Sequence, residues 1–493
     1  MSGNLQRILE GRGPIRTVGV IGMGYVGIPA AALFADATAF KVVYGFQRDS
    51  KSSGYKIAML SAGESPLKGE EPGLEALLSK VTAAGKFRCT ADFSRIAECD
   101  AVTLAIQTPF ANPKDLIPDF TPLVEGLRNA GRFLTPGTLV VLESTVTPGT
   151  TTGMARKILE EESGLVAGED FCLAHAPERV MVGRLLQNIR EHDRIVGGID
   201  DVSTGRACEL YGPVLTKGTL IPMSATAAEV TKTAENTFRD LQIAAANQLA
   251  LYCEAMGINF YDVRAGIDSL KGEGITRAIL WPGAGVGGHC LTKDTYHLER
   301  GVGELGPGAL DWPDDLASLY LTSRRINDFM PTHMLHLTAS ALAQAGKDTK
   351  APLKGATIAL LGWAFLNDSD DARNTPSAPF FEAACAAGAT VRIHDPWVDP
   401  ATAPDIPAGA DITRDLNAVL TGADAVVVFA GHREYRALRP AEVKALCGGD
   451  HPAIVDGRNV VEPDAWTGQG FVYRGIGRGD KNGQRPGTRT NPV

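Results

Sequence analysis

The sequence predicts an α/β protein in which alternating strand and helix segments occur twice, once before and once after a single long helix. Three observations predict it. The run "TVGVIGMGYVGIPAAALFADA" from residue 17 starts β-branched and apolar, turns on glycine and continues into small helix formers, the strand-turn-helix opening of a dinucleotide-binding unit. The stretch "SATAAEVTKTAENTFRDLQIAAANQLALYCEAMG" from residue 224 has no internal Pro or Gly and is rich in Ala and Glu, so it reads as one helix. From residue 356 the opening pattern returns as "ATIALLGWAF". The expected fold is two Rossmann-like domains, N- and C-terminal, joined by a central helical domain with a long helix. Boundaries are placed at 1–215, 216–345 and 346–474, followed by a disordered tail, 475–493.

Each element has its own signal. In the first part the apolar runs "KVVYGF", "AVTLAIQT", "TLVVLEST", "FCLAHAP" and "RIVGGI" are strand candidates, separated by helical segments such as "PGLEALLSKVTAAG" and "TPLVEGLRNAGRFL". That order gives a mainly parallel sheet. The second α/β part repeats it with the helical "SAPFFEAACAAG" and the strand runs "TVRIHD", "DAVVVFAG" and "AIVDGR". The terminal "RGIGRGDKNGQRPGTRTNPV" is polar, Gly-rich and without periodicity, as expected of chain that buries no core.

Composition narrows the function. A chain of 493 residues, 44% hydrophobic, is long enough for two or three domains. With 57 acidic against 48 basic residues the net charge is -9, which gives no general attraction to a phosphodiester backbone, so no nucleic acid is expected as partner. The start lacks a signal-peptide pattern and no apolar run reaches a membrane span, so a cytoplasmic location is expected and no membrane. The 8 cysteines are scattered without a C-x-x-C pair or zinc-like spacing, so reduced thiols are expected. His333 and His336 share a helix face at i, i+3, but nothing nearby completes a ligand set; no metal is expected.

Two stretches carry chemistry. Gly22, Gly24 and Gly27 form G-x-G-x-x-G at a strand end that opens a helix, where glycine permits a tight turn, backbone approach to a pyrophosphate and close helix packing. About twenty residues on, where an acid usually takes the ribose hydroxyl, the chain has Gln47 and then Arg48. Glutamine can still hydrogen-bond a ribose, and Arg48 could lie on adenine or accept a 2′-phosphate, so NAD is preferred over NADP on balance. The second stretch is "PGAGVGGHCLTKD", 282 to 294. Cys89, Cys172, Cys253 and Cys385 read as small core residues. Cys290 instead follows glycines at 283, 285, 287 and 288, which leave room for a ligand, and precedes Lys293 and Asp294, whose charges can tune a thiol or hold a water. It is a nucleophile candidate, against a structural thiol in a tight loop.

"VGVIGMGYVG", "ESTVTPGTT", "APERVMVG", "AAEVTKTAENTFRDLQIAAANQLA", "GAGVGGHCLTKD" and "SDDARNTPS" occur in this order over nearly the whole chain. In these motifs the chain resembles the nucleotide-sugar 6-dehydrogenases, the UDP-glucose/GDP-mannose dehydrogenase family, and most of all its members acting on UDP-N-acetylmannosamine. The resemblance implies an NAD domain, a central domain carrying the dimer interface, and a C-terminal domain for a UDP-sugar. It implies a homodimer or higher homo-oligomer and a four-electron oxidation of the sugar C6 hydroxyl, with Cys290 holding the intermediate aldehyde as a thiohemiacetal and then a thioester. By motif position, Lys232 and Asn236, four apart on one helix face, would stabilise an oxyanion. Asp294 and Thr145 would position a water, and Glu178 would assist thioester hydrolysis. Cofactor contacts are implied for Gly22, Gly24, Tyr25, Val26, Gly27, Gln47, Arg48, Thr108, Thr145, Lys293 and Arg373, although Arg373 could equally pair with Asp370 or Asp371. Substrate contacts are implied for Glu178, Arg179, Lys232, Asn236, Arg277, Gly287, Gly288 and His289.

Departures bear on the substrate. Val182 stands where UDP-glucose enzymes tend to have a second acid, and "GGHC" with His289 is similar to enzymes acting on UDP-N-acetylated hexosamines, whereas "LTKD" keeps the Lys-Asp of the UDP-glucose group. Leu366 replaces a lysine that commonly binds substrate. The expected substrates are UDP-N-acetylmannosamine first and UDP-N-acetylglucosamine second, with UDP-glucose or GDP-mannose as alternatives. A two-electron hydroxyacid-type dehydrogenase and an inactive nucleotide-binding protein remain as readings from other classes. Reduced cofactor per sugar, two, one or none, separates the three.

Overall fold

A computed structural model describes residues 3–51, 53–67, 71–112, 117–180, 183–270, 279–288, 290–306, 316–401, 403 and 406–483. The chain divides into two compact units, 1–235 with 296–312, and 236–295 with 313–493.

The first unit is built on strands β1 (Thr17–Ile21), β2 (Val42–Phe46), β3 (Phe87–Thr90) and β4 (Ala101–Leu104), a short antiparallel pair β5 (Phe110–Asn112) and β6 (Ile117–Pro118), and then β7 (Leu139–Leu142), β8 (Cys172–His175), β9 (Arg194–Gly198) and β10 (Leu220–Ser224). Eight of these form one sheet in the order β10-β9-β8-β7-β4-β1-β2-β3. Neighbours are parallel except β8 and β9. Alternate residues enter cores on opposite faces: Val18 and Val20 on one, Ile21, Val102 and Leu104 on the other. Helices on both faces therefore explain why these strands read as continuous apolar runs.

The second unit carries β11 (Thr357–Leu361), β12 (Thr390–His394), β13 (Ile412–Thr413), β14 (Ala425–Val428), β15 (Ala453–Asp456) and β16 (Val472–Gly475). They form a parallel sheet in the order β13-β12-β11-β14-β15-β16. Counted within each unit, β3-β2-β1-β4-β7-β8 and β13-β12-β11-β14-β15-β16 are the same doubly wound order. The first unit adds the reversed strands β9 and β10 at one edge.

The long helix spans Ala225–Met256, 32 residues. Glu229, Lys232, Asn236, Asp240 and Asn247 on it are all at least nine-tenths buried, whereas Phe238, Tyr252 and Met256 are exposed. The division between the two units falls within the long helix, after residue 235. The tail departs from expectation. Ile476 is buried, the Gly477 amide donates to Glu254 at 2.9 Å, and Asn482 brackets Gly475 with bonds of 2.7 and 2.8 Å, so the chain is packed through 483. No helix among the described residues is long and apolar enough to cross a membrane.

Candidate active site

Strand order in the first unit reverses between β1 and β4, and ligands of such sheets bind beyond the carboxyl ends at that point. There a cavity of about 330 Å³ is lined by Gly22, Met23, Gly24, Gln47, Arg48 and Ile106. The glycines are required for two different reasons. Gly22 has φ of 101° and a Cβ on Gly27 would stand 2.0 Å from the Gly22 carbonyl oxygen, so these two make the turn; a Cβ on Gly24 would meet open space, which leaves its backbone accessible to a phosphate. This geometry fits a dinucleotide. Tyr25 and Val26 are half-buried in the same turn. Gln47 accepts from the Met23 amide at 3.3 Å and donates to Ser53 at 3.0 Å, so it braces the glycine turn. Arg48 pairs with Glu125, both largely solvent-exposed, a weak pairing that a ligand can displace.

The loop after β7 carries Thr145, whose carbonyl accepts from the buried Thr108 hydroxyl at 2.7 Å. Farther along, Glu229 grips this loop: its carboxylate accepts from the amides of Gly149 and Thr151 at 2.6 and 2.7 Å and from the Thr151 hydroxyl at 2.6 Å. Burial raises the Glu229 pKa while these bonds oppose the rise. Glu229 sits one helical turn before Lys232. Glu178, nearly buried, pairs with Arg194 through one oxygen and accepts from the Arg179 amide at 2.9 Å through the other. Arg194 also bonds Glu143 at 3.0 Å and the Ala176 carbonyl at 2.8 Å. Burial acts to lower the Arg194 pKa, but Glu178, Tyr211 and Glu143 outweigh it. The Arg179 side chain is held by Glu235 at 3.4 Å and the Asp193 carbonyl at 2.5 Å. His175, at the end of β8, is fully buried, and among the described residues neither ring nitrogen has a hydrogen-bond partner.

In the second unit Cys290 is exposed in a turn where its carbonyl accepts from the amides of Lys293 and Asp294 at 3.1 and 2.9 Å. Asp294 is fully buried. Its two oxygens accept from Asn236 at 2.6 Å and Lys293 at 3.1 Å. The geometry thus brings Asn236, Lys293 and Asp294 into one buried cluster directly after the thiol. Gly287 and Gly288 have a steric reason to be glycine: a Cβ at either would stand 2.4 or 2.8 Å from Phe365. Arg373 contacts this loop through its carbonyl, which accepts from the Gly288 amide at 2.8 Å. Its side chain, expected at cofactor or substrate, is bidentate to Asp371 at 2.8 and 2.5 Å, the alternative the sequence left open. Leu366 is half exposed. Arg277, His289 and Val182 lie outside the described residues. Cys385, expected in the core, is exposed.

Sequence reasoning missed the polar residues that hold the cysteine loop. Asn247 accepts from the Gly283 amide at 2.9 Å and donates to Asn327 at 2.9 Å. Asn327 donates to Asp240 at 2.8 Å, and Arg324 pairs with Asp240 while reaching the Leu291 carbonyl at 3.4 Å. The loop is thereby fixed on either side of Cys290. A signal existed: at about 100° per residue, positions 232, 236, 240 and 247 fall on one narrow stripe of the long helix.

Comparison with known proteins agrees with this arrangement. Profiles of the UDP-glucose/GDP-mannose dehydrogenase family match three segments: the NAD binding domain at 16–215, the central domain at 226–309 and the UDP binding domain at 359–463. The UDP-N-acetyl-D-mannosamine dehydrogenase of Pyrococcus horikoshii is 35% identical over 467 residues, covering 94% of this chain and 99% of its own. The NDP-N-acetyl-D-galactosaminuronic acid dehydrogenase of Ralstonia solanacearum is 31% identical, covering 86% of this chain and 92% of its own. A crystal structure of NDP-N-acetyl-D-galactosaminuronic acid dehydrogenase from Methanosarcina mazei Go1 superposes with a TM-score of 0.90 at 67% identity, covering 98% of this chain and all of that one. With its three domains matched in order, this chain belongs to the UDP-glucose/GDP-mannose dehydrogenase family.

Proposed function

We propose that this NAD-dependent nucleotide-sugar dehydrogenase oxidises the C6 hydroxyl of a UDP-N-acetylhexosamine to the carboxylate, with UDP-N-acetylmannosamine first and UDP-N-acetylglucosamine second. The observation that carries the reading is the exposed Cys290 followed by the buried Asn236, Lys293 and Asp294 cluster. NAD supplies the hydride acceptor for both oxidations. When C6 is at the aldehyde level, the Cys290 thiolate adds to it, forming a C–S bond, and the carbonyl oxygen takes a proton. Asn236 donates its amide beside that oxygen's expected charge, and Asp294 holds the amide in place. Loss of the remaining C6 hydride, together with the proton that the oxygen had taken up, leaves a thioester; water then attacks and gives up its protons, the C–S bond breaks, and the thiolate returns. Glu178 is assigned to activating that water by its motif. Thr145 and Lys232 are assigned to the same chemistry by their motifs. A free thiol is required throughout, which suits a reducing cytoplasm.

The test is a panel of UDP-N-acetylmannosamine, UDP-N-acetylglucosamine, UDP-N-acetylgalactosamine, UDP-glucose and GDP-mannose with excess NAD. Two reduced cofactors per sugar are expected, with an N-acetylhexosamine preferred; one per sugar, or a preference for UDP-glucose or GDP-mannose, refutes the proposal. The 67% identity to the Methanosarcina mazei protein favours a second reading, a galacto-configured substrate, which the UDP-N-acetylgalactosamine arm tests. The stripe of Phe238, Tyr252 and Met256 left exposed on the long helix supports a homodimer or higher homo-oligomer, and Phe238→Glu should shift sedimentation toward monomer.

A further inference from the structure

In the second unit a cavity of about 430 Å³ is lined by Arg474, His336, Ser340, Asn482, Phe329 and Leu337, among others. None of them belongs to the candidate active site. Arg474, on β16, is 5% exposed. Its bonds go to neutral acceptors alone: Ser340 at 3.3 Å, the Tyr473 carbonyl at 2.7 Å and Gln344 at 2.6 Å. Among the described residues no carboxylate pairs with it, and burial alone lowers its pKa. Other deeply buried arginines are treated differently. Arg194 has Glu143 and Glu178, and Arg324 has Asp240 and Asp328. A buried cation without a counter-charge is costly, and a guanidinium with five donors that makes three bonds has two left. Glu254 on the long helix, which holds the cavity-lining His333 at 3.0 Å, is committed to that ring and to the Gly477 amide.

We infer that this cavity is a second binding site, for a small oxyanion group, phosphate or carboxylate, carried on a partly apolar body that lies against Phe329 and Leu337. Arg474 supplies the charge and the two spare donors, and His336 at the exposed edge supplies a further nitrogen. The packed tail completes the site, because Asn482 lines it and a Cβ built on Gly483 would stand 3.3 Å from the Arg474 guanidinium. The inference does not depend on the reaction proposed above.

The experiment titrates inorganic phosphate and, separately, citrate into the full chain at constant ionic strength, read by thermal shift and calorimetry. A saturable rise in Tm is expected with at least one of the two; which one identifies the group. Arg474→Gln should weaken that binding at least tenfold while leaving the KM for NAD unchanged. Ser340→Glu places a carboxylate beside the guanidinium, and should raise Tm without added anion and abolish the anion response. Because Ser340 is exposed, this variant decides the matter even if Arg474→Gln does not fold. No response to either anion, or the same response in the wild type and Ser340→Glu, overturns the inference.

Discussion

Cys290 differs from the buried cysteines in where its sulfur can go. Burial pushes the Cys89 and Cys172 thiols up to about 12 and the Cys447 thiol to about 11, which keeps them protonated and inert, whereas Cys290 is exposed in its turn. Cys290→Ser should therefore retain binding of NAD and UDP-sugar but lose turnover to acid, because an alkoxide is far harder to form near neutral pH than a thiolate. Hydride release should stop near one equivalent per active site in a burst experiment; two reduced cofactors per sugar at the wild-type rate would end the covalent mechanism. His175 offers a test by pH. Burial, reinforced by the charges of Arg194 and Lys232, pulls it down to about 3, against about 6.5 in unfolded chain. Between these values the unfolded state holds a proton that the folded state does not, so stability rises with pH from about 3 to about 6.5 and is complete above that. His175→Gln should flatten this rise by about 1.4 kcal/mol per pH unit, measured as denaturation midpoints; equal slopes in both proteins would show that His175 is not buried neutral.

At the level of elements, the long helix and the glycine turns were legible because their signals are local: an uninterrupted helical run, and G-x-G-x-x-G between strand and helix. The support of the cysteine loop was not, since Phe365, Arg324 and Asn327 meet it from distant positions and nothing in "GAGVGGHC" announces them. Gly287 illustrates this. It read as room for a ligand, yet a Cβ there would stand 2.4 Å from the Phe365 side chain. Gly287→Ala should cost about 1–3 kcal/mol in stability by overpacking and reduce kcat at least tenfold by displacing Cys290. Phe365→Gly in the same chain, which removes the Cβ that the new methyl meets, should recover part of both. If Gly287→Ala is silent in melting temperature and kcat, the contact does not set the loop.

Over the whole molecule the two sheets share a strand order, but their first turns are treated oppositely. Gly362 repeats the φ of 101° seen at Gly22, and where Gln47 accepts from the Met23 amide at 3.3 Å, Asp395 accepts from the amides of Trp363 and Ala364 at 2.7 and 2.8 Å. The C-terminal turn thus carries its own anion where a dinucleotide would place a phosphate. One NAD per chain is expected by equilibrium binding, and two would show that Asp395 yields its place. The repeated strand-turn-helix pattern made both sheets readable from sequence; that one of the two turns is plugged was not, because an Asp after the second strand is also what a dinucleotide site displays.

The seat of Phe365 on Gly287 and Gly288 also constrains mutational history. A lineage that replaces either glycine while the ring remains meets the clash at once, and at Gly288 the φ of 89° adds backbone strain. Shrinking residue 365 first leaves a void whose cost is graded, but a side chain at 287 becomes tolerable only once 365 has lost its Cβ as well. The exchange is passable in one direction and blocked in the other, so descendants of this loop should show glycine at 365 before, and never after, the loss of Gly287.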